Sequence, residues 1–137
     1  MEYLIIIKTK KEKEIIDITE KINEILKKQN KESGLIYLFL LHTTCSLATA
    51  DLDPGVESDY LTAFEKIYPK ANYIHPHNPS HFPDHFLSSI VGTSLLLPYE
   101  NNELVLGTWQ RVILIEFNGP RERKIYFKLI KNEKQKI

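Results

Sequence analysis

The chain is poor in several residues that often define a protein class: of its 137 residues one is cysteine, one methionine, one tryptophan and five glycine. A lone Cys45 cannot close an intrachain disulfide, so the fold must rest on an apolar core, and a reducing, cytoplasmic compartment is expected. Net charge is also missing, because 18 Lys and Arg balance 18 Asp and Glu. Without a general basic field, phosphate-backbone binding loses its main driving force, and no nucleic-acid partner is expected. Long apolar runs are absent too. Leu35–Leu41 is far shorter than the roughly 20 residues a membrane-spanning helix requires, and the N-terminus lacks the pattern of a cleavable signal, so no membrane association is expected. Neither repeats nor low-complexity linkers divide the chain. What is present, 42% hydrophobic and 26% charged residues, is ordinary globular composition, and a single domain over 1–137 with a frayed tail at 131–137 is expected.

The order of elements reads as α+β. Glu2–Lys8 has strand character, and a charged turn at Lys10–Lys13 leads to a helix. There Asp17 and Glu20 suit a capping box, and Ile18, Ile22, Ile25 and Leu26 form one apolar stripe as far as Gln29. After the break at Gly34, the nearly unbroken apolar run Leu35–Leu41 predicts a strand buried on both faces that delivers His42 at its end. Asp53 and Pro54 predict a second helix start as N-cap and first residue, with Val56, Tyr60, Phe64 and Ile67 on its inner face before Pro69. A short third helix is predicted from Pro83 to Val91, stopped by Gly92. Thr93–Tyr99, Glu103–Leu106, Thr108–Phe117 and Arg123–Ile130 follow as strands, joined at Asn101-Asn102, Gly107 and Asn118-Gly119-Pro120.

Histidine is the chemistry-bearing residue that stands out. Of five histidines, four (His75, His77, His81 and His85) fall on or just after the Pro- and Asn-rich stretch Asn72–Asp84. Neutral imidazole is the commonest nitrogen ligand of zinc, and catalytic zinc uses three protein ligands with an open fourth position. Spacing alone does not select the three: His75 and His77 can share one side of an extended segment, whereas His81 and His85 straddle Pro83 and form no clean helical pair. Solvent-facing loop histidines, with His42 satisfying a buried polar group, are the plain alternative. Cys45 reads as a small apolar filler. Thr43, Thr44 and Ser46 can bond phosphate oxygens or nearby backbone. Among Asp51, Asp53, Glu57 and Asp59, capping and a solvated first turn account for all but Asp51. Trp109 follows a Gly107 bend and is expected in the core or at a subunit contact. Arg121 and Arg123, beyond the Gly119-Pro120 turn, are the leading anion-gripping candidates.

Taken together, His42-Thr43-Thr44-Cys45-Ser46-Leu47, Asp53-Pro54-Gly55-Val56, Tyr73-x-His75, His85-x-x-Ser88-Ser89-x-x-Gly92, Gly107-Thr108-Trp109-Gln110 and Gly119-Pro120-Arg121-x-Arg123 resemble the YjbQ-like family over nearly the whole chain. That resemblance implies an α+β fold with a substantial β-sandwich of antiparallel or mixed sheets, two main helices and one short one, and a homotrimer. It also implies secondary thiamine-phosphate synthase activity, in which an aminopyrimidine pyrophosphate joins a thiazole phosphate and pyrophosphate leaves. A divalent metal, zinc by expectation, would be held by His42, His75 and His85, the positions that match the family's histidines; His77 and His81 fall outside the match. Thr43, Thr44, Arg121 and Arg123 would bind the phosphorylated small-molecule substrate, and Asp51 or His81 would move a proton. The chain departs from the family at Thr49-Ala50-Asp51, where an Asn-Glu pair is usual, in the extra His and Pro between His75 and His85, and at Asn102, usually Gly. A non-catalytic trimeric module binding a metal or phospho-metabolite, and a metal-dependent phosphoester hydrolase, are the competing expectations.

Overall fold

The structure, a computed structural model, describes residues 3–131. It is an α+β arrangement of two antiparallel sheets and three helices. The strands are β1 (Leu4–Lys8), β2 (Glu14–Asp17), β3 (Gly34–Leu40), β4 (Cys45–Ala50), β5 (Ser94–Glu100), β6 (Glu103–Leu104), β7 (Arg111–Glu116) and β8 (Glu122–Lys131). The helices are α1 (Thr19–Gln29), α2 (Val56–Lys66) and α3 (Phe82–Val91), the last preceded by a 3-10 turn at Pro79–His81. One sheet has the order β1-β8-β3-β5-β6 and the other β2-β7-β4. Among the described residues no helix is long and apolar enough to cross a membrane.

The main core lies between the sheets and α1. Ile5, Ile36, Leu38, Leu40, Ile125 and Phe127 of the larger sheet meet Leu47, Val112 and Leu114 of the smaller one, together with Ile22 and Leu26 of α1. A second cluster, Ile15, Ile113, Ile115, Phe117 and Leu87, fills the far side of the smaller sheet under Tyr60, Leu61 and Phe64 of α2. This explains why β7 is buried at every residue from Val112 to Glu116: it is the central strand of a sheet covered on both faces.

Several local expectations differ from the fold. Residues 14–17 form a strand, β2, whose Ile15 and Ile16 pair with Ile115 and Leu114, so long-range pairing overrides the helical reading of this stretch. The Asp17–Glu20 capping box does not form. Asp17 Oδ1 instead accepts from Thr19 N at 3.0 Å, while both acids pair with Arg111. Likewise α2 begins at Val56 behind a left-handed Gly55, and Asp53 contributes its backbone carbonyl to Val56 N–H rather than a side-chain cap. Helix α1 ends at Gln29, as its apolar stripe predicts, and Asn30, with φ of 49° and ψ of 50°, is its left-handed terminator. The tail expected to fray lies, from residue 132 onward, outside the described residues, while Lys131 is the last residue of β8.

Strand β3 carries the largest difference. It alternates, with Ile36, Leu38 and Leu40 buried and Leu35 and Phe39 exposed, so only one of its faces is covered within the chain. Register places Leu35 beside Pro98 and Ile130, Tyr37 beside Leu96 and Lys128, and Phe39 beside Ser94 and Tyr126. Lys128 and Ser94 aside, these rows form a largely apolar outer face on the larger sheet.

Candidate functional site

The site is built where β3, β7 and β8 end together. The chain leaves β3 at Leu41-His42, turns through Thr43-Thr44 into β4, and returns from β7 to β8 through Asn118–Arg121. A cleft of about 700 Å³ opens there, bounded chiefly by polar side chains: His42, Thr43, Thr44, His81, His85 and Asn118, with the bases Arg121 and Arg123 and one acid, Glu122. Two buried hydroxyls fix α3 against β4: Ser88 donates to the Cys45 carbonyl at 2.7 Å and Ser46 donates to the Ser88 carbonyl at 3.2 Å. Lys13 adds a tie at the helix start, bonding Asp84 at 2.8 Å and the Phe117 carbonyl. His85, one turn into that anchored helix, is therefore held over the cleft.

The floor of the cleft is a buried ion pair. Arg123 and Glu116 are 2% and 0% exposed, which is far from water for opposite charges. Glu116 Oε1 accepts from Arg123 Nε at 2.9 Å and from the Thr9 hydroxyl at 2.7 Å; Oε2 accepts from Arg123 Nη2 and from Asn118 N at 3.2 Å. Arg123 Nη2 also donates to Thr44 Oγ1 at 2.8 Å and to the Thr44 carbonyl at 3.2 Å. The Thr9 hydroxyl in turn accepts from Arg121 N at 2.8 Å. With so many bonds within the protein, Arg123 and Thr44 shape the wall of the cleft instead of offering free donors to a ligand. Arg121 is the contrasting case. Its Nε donates to the Asn118 carbonyl at 2.9 Å, it is exposed, and it lines the cleft with Thr43.

Hydrogen bonding divides the three family-matched histidines. Nδ1 of His85 lies 3.0 Å from the Thr43 carbonyl and Nδ1 of His75 3.0 Å from the Asn78 carbonyl. A carbonyl can only accept, so both rings carry the proton on Nδ1 and keep the Nε2 lone pair free. The two rings stack with centroids 4.8 Å apart. His42 is arranged the other way: its Nε2 accepts from Lys124 N at 2.9 Å, which puts the proton of the neutral ring on Nδ1. Burial, followed by the nearby Arg123 charge, holds the His42 pKa below the usual histidine range. In this arrangement His42 has no lone pair left for a metal.

A three-histidine zinc centre thus does not fit these donors as they stand. Among the described residues no group of three or more His, Cys, Asp or Glu is close enough to hold a metal ion. His42, His81 and His85 share the cleft, and His75 joins them only through its stack on His85. His77 is exposed, with φ of 70°. Asp51 follows β4 at the end remote from the cleft; six residues from Cys45 at about 3.3 Å each place it roughly 20 Å away. Cys45 is fully buried and its thiol is pushed up to about 12 by burial, in keeping with a filler. Glu116 escaped sequence reasoning, although one signal was available: it is a lone acid directly after the apolar run Val112–Ile115.

Two antiparallel sheets with a His- and Arg-lined cleft at their shared end define a small α+β domain. Its kinship is narrower than that. The chain belongs to the UPF0047 protein YjbQ-like family, whose sequence profile matches residues 3–132. It is 37% identical to the UPF0047 protein YugU of Bacillus subtilis over 125 residues, spanning 90% of this chain and 95% of that one. A UPF0047 protein of Archaeoglobus fulgidus is 34% identical over 125 residues, with coverage of 90% and 97%. Among solved structures, the conserved hypothetical protein TT1486 of Thermus thermophilus superposes with a TM-score of 0.82 at 35% identity, covering 93% of this chain and 98% of that one. The hypothetical protein APE1520 of Aeropyrum pernix gives a TM-score of 0.85 at 27% identity, with 94% and 97% covered.

Proposed function

We propose that the protein is an enzyme acting on a phosphorylated small molecule, with the phosphate seated in the cleft beneath Arg121. The observation that carries this reading is the convergence of Arg121 with His42, His81 and His85 on one cleft of about 700 Å³. An exposed guanidinium beside the unspent Nδ1–H of His42 offers donors to phosphate oxygens. Arg123, although spent on Glu116, holds the Thr43-Thr44 turn in place.

In its finer form the reaction is that of a secondary thiamine-phosphate synthase: a thiazole phosphate displaces pyrophosphate from an aminopyrimidine pyrophosphate. Arg121 would stabilise the charge growing on the departing pyrophosphate, the general role of a preorganised cation at such a bond. His42, neutral and donating through Nδ1, would bind an oxygen, and His81 would move a proton. We further propose the family's homotrimer for this chain, supported by the apolar outer face of the larger sheet.

Incubation with the two thiamine precursors tests the reaction. Thiamine phosphate and pyrophosphate should form in equal amounts and fall to background in the Arg121→Ala/His85→Ala variant. Pyrophosphate binding with no product would refute the enzyme and leave a binding module.

A further inference from the structure

The most exposed aromatic side chain lies far from the cleft. Trp109, the sole tryptophan of the chain, is 71% exposed. Its turn is firmly built: Gln110 N donates to the Gly107 carbonyl at 3.1 Å, and Gln110 Oε1 accepts from Gly107 N at 2.7 Å. An ordered turn that holds an indole in water is the kind of anchor that protein contacts use, since tryptophan is prominent among interface hot spots. The indole cannot serve its own cleft. Trp109 precedes β7 while the cleft lies beyond the other end of that strand, roughly 20 Å away at about 3.3 Å per residue.

A receiving surface lies beside the cleft. A hollow of about 560 Å³ is lined by Phe39, Leu41, His42, Thr43, His85 and Thr93 among others, and it shares Leu41, His42, Thr43 and His85 with the cleft. It opens at the end of the exposed apolar face of β3, so a copy covering that face also reaches the hollow. The net charges are opposite in sign. Around the Trp109 turn, Asp17, Glu20 and Asp51 outnumber the single Arg111 that pairs with the first two, whereas at the histidine end Arg121 and Lys124 outnumber Glu122.

We infer that in the assembled protein the Trp109 turn of one subunit seats in the Phe39–Leu41–His85 hollow of a second copy, closing that copy's cleft and bringing a neighbour's Asp51 toward it. This contact joins two different patches, the head-to-tail kind of interface from which a cyclic trimer is built when the rotation between neighbours is a third of a turn. It gives Asp51, stranded in its own chain, a place beside the histidines of another. The inference rests on the self-association proposed above.

The lone tryptophan makes the test direct, because all indole fluorescence comes from position 109. The full-length protein is followed by sedimentation velocity, tryptophan emission and acrylamide quenching, beside Leu41→Asp and Ser89→Arg, two exposed positions at the hollow, with folding checked by circular dichroism. The expected result is an oligomer whose emission is blue-shifted from that of N-acetyltryptophanamide and protected from quencher, with both effects lost in whichever variant folds. A monomer would overturn the inference together with self-association. An oligomer with solvent-like emission would overturn the inference alone, as would emission that stays protected in the folded variants.

Discussion

Replacing Glu116 by Gln removes the negative charge from beneath the cleft while keeping the side chain's size, and leaves Arg123, 2% exposed, without a counter-ion. Breaking a buried pair by losing one partner typically costs about 3–5 kcal/mol, because the remaining charge is desolvated and uncompensated. The upper half of that range applies here, since Asn118 N and the Thr9 hydroxyl also lose a carboxylate acceptor. Against a total of about 5–15 kcal/mol for a domain, such a loss is a large share of the stability. At about 3–5 °C per kcal/mol for a chain of this size, Tm should fall by roughly 12–25 °C. Removing both charges in Glu116→Leu/Arg123→Met should recover much of the loss, because no unpaired ion remains. Urea unfolding followed by circular dichroism, arranged as a double-mutant cycle, measures each value. A cost below about 1 kcal/mol for Glu116→Gln, the level of a surface pair, would refute this reasoning, as would a double variant no more stable than the sum of the two single losses.

Gly119→Ala should destabilise the chain by about 1–3 kcal/mol or more, because the new Cβ would stand 2.3 Å from the Lys11 carbonyl oxygen and 2.9 Å from Glu116 Cγ; an unchanged urea midpoint would contradict the contact. For His42 the folded pKa is depressed, by burial first and the Arg123 charge second, so the unfolded chain binds the proton more readily. Its contribution to stability is therefore complete above the unfolded value of about 6.5 and declines as pH falls through the folded value. Urea midpoints between pH 7.5 and 5 should thus drop more steeply in the native chain than in His42→Gln, and equal slopes would count against it. Cys45, with its thiol pushed up to about 12, should resist Ellman's reagent at pH 8 until urea unfolds the chain, whereas prompt labelling of the folded protein would contradict its burial.

Much of the fold was legible because its signals are local. The 3.6-residue stripe of α1, the Gly92 stop after α3 and the Asn101-Asn102 turn, whose φ values are 51° and 60°, all follow from residue chemistry along a short stretch. The strands β2 and β4 were not legible. Each owes its form to pairing with β7, a partner distant in sequence that no local pattern in Glu14–Asp17 or Cys45–Ala50 reveals. At the site, sequence singled out the cleft-lining histidines and Arg121, but treated Arg121 and Arg123 as equals. Alternation along β8 separates them: Arg123 falls on the inward side with Ile125 and Phe127, while Arg121 lies on the loop before the strand. The direction of the His42 ring depends on Lys124 N–H, a backbone donor that no spacing rule reveals.

The central claim, that this cleft receives a phosphorylated ligand through Arg121, is tested most directly by calorimetric titration of pyrophosphate into the native protein and Arg121→Ala. A charged hydrogen bond of about 1.5–3 kcal/mol predicts binding weakened by roughly 10- to 150-fold in the variant, with its unfolding midpoint unchanged because Arg121 is exposed. Equal affinity in the two proteins, or no binding by the native one, would contradict the account.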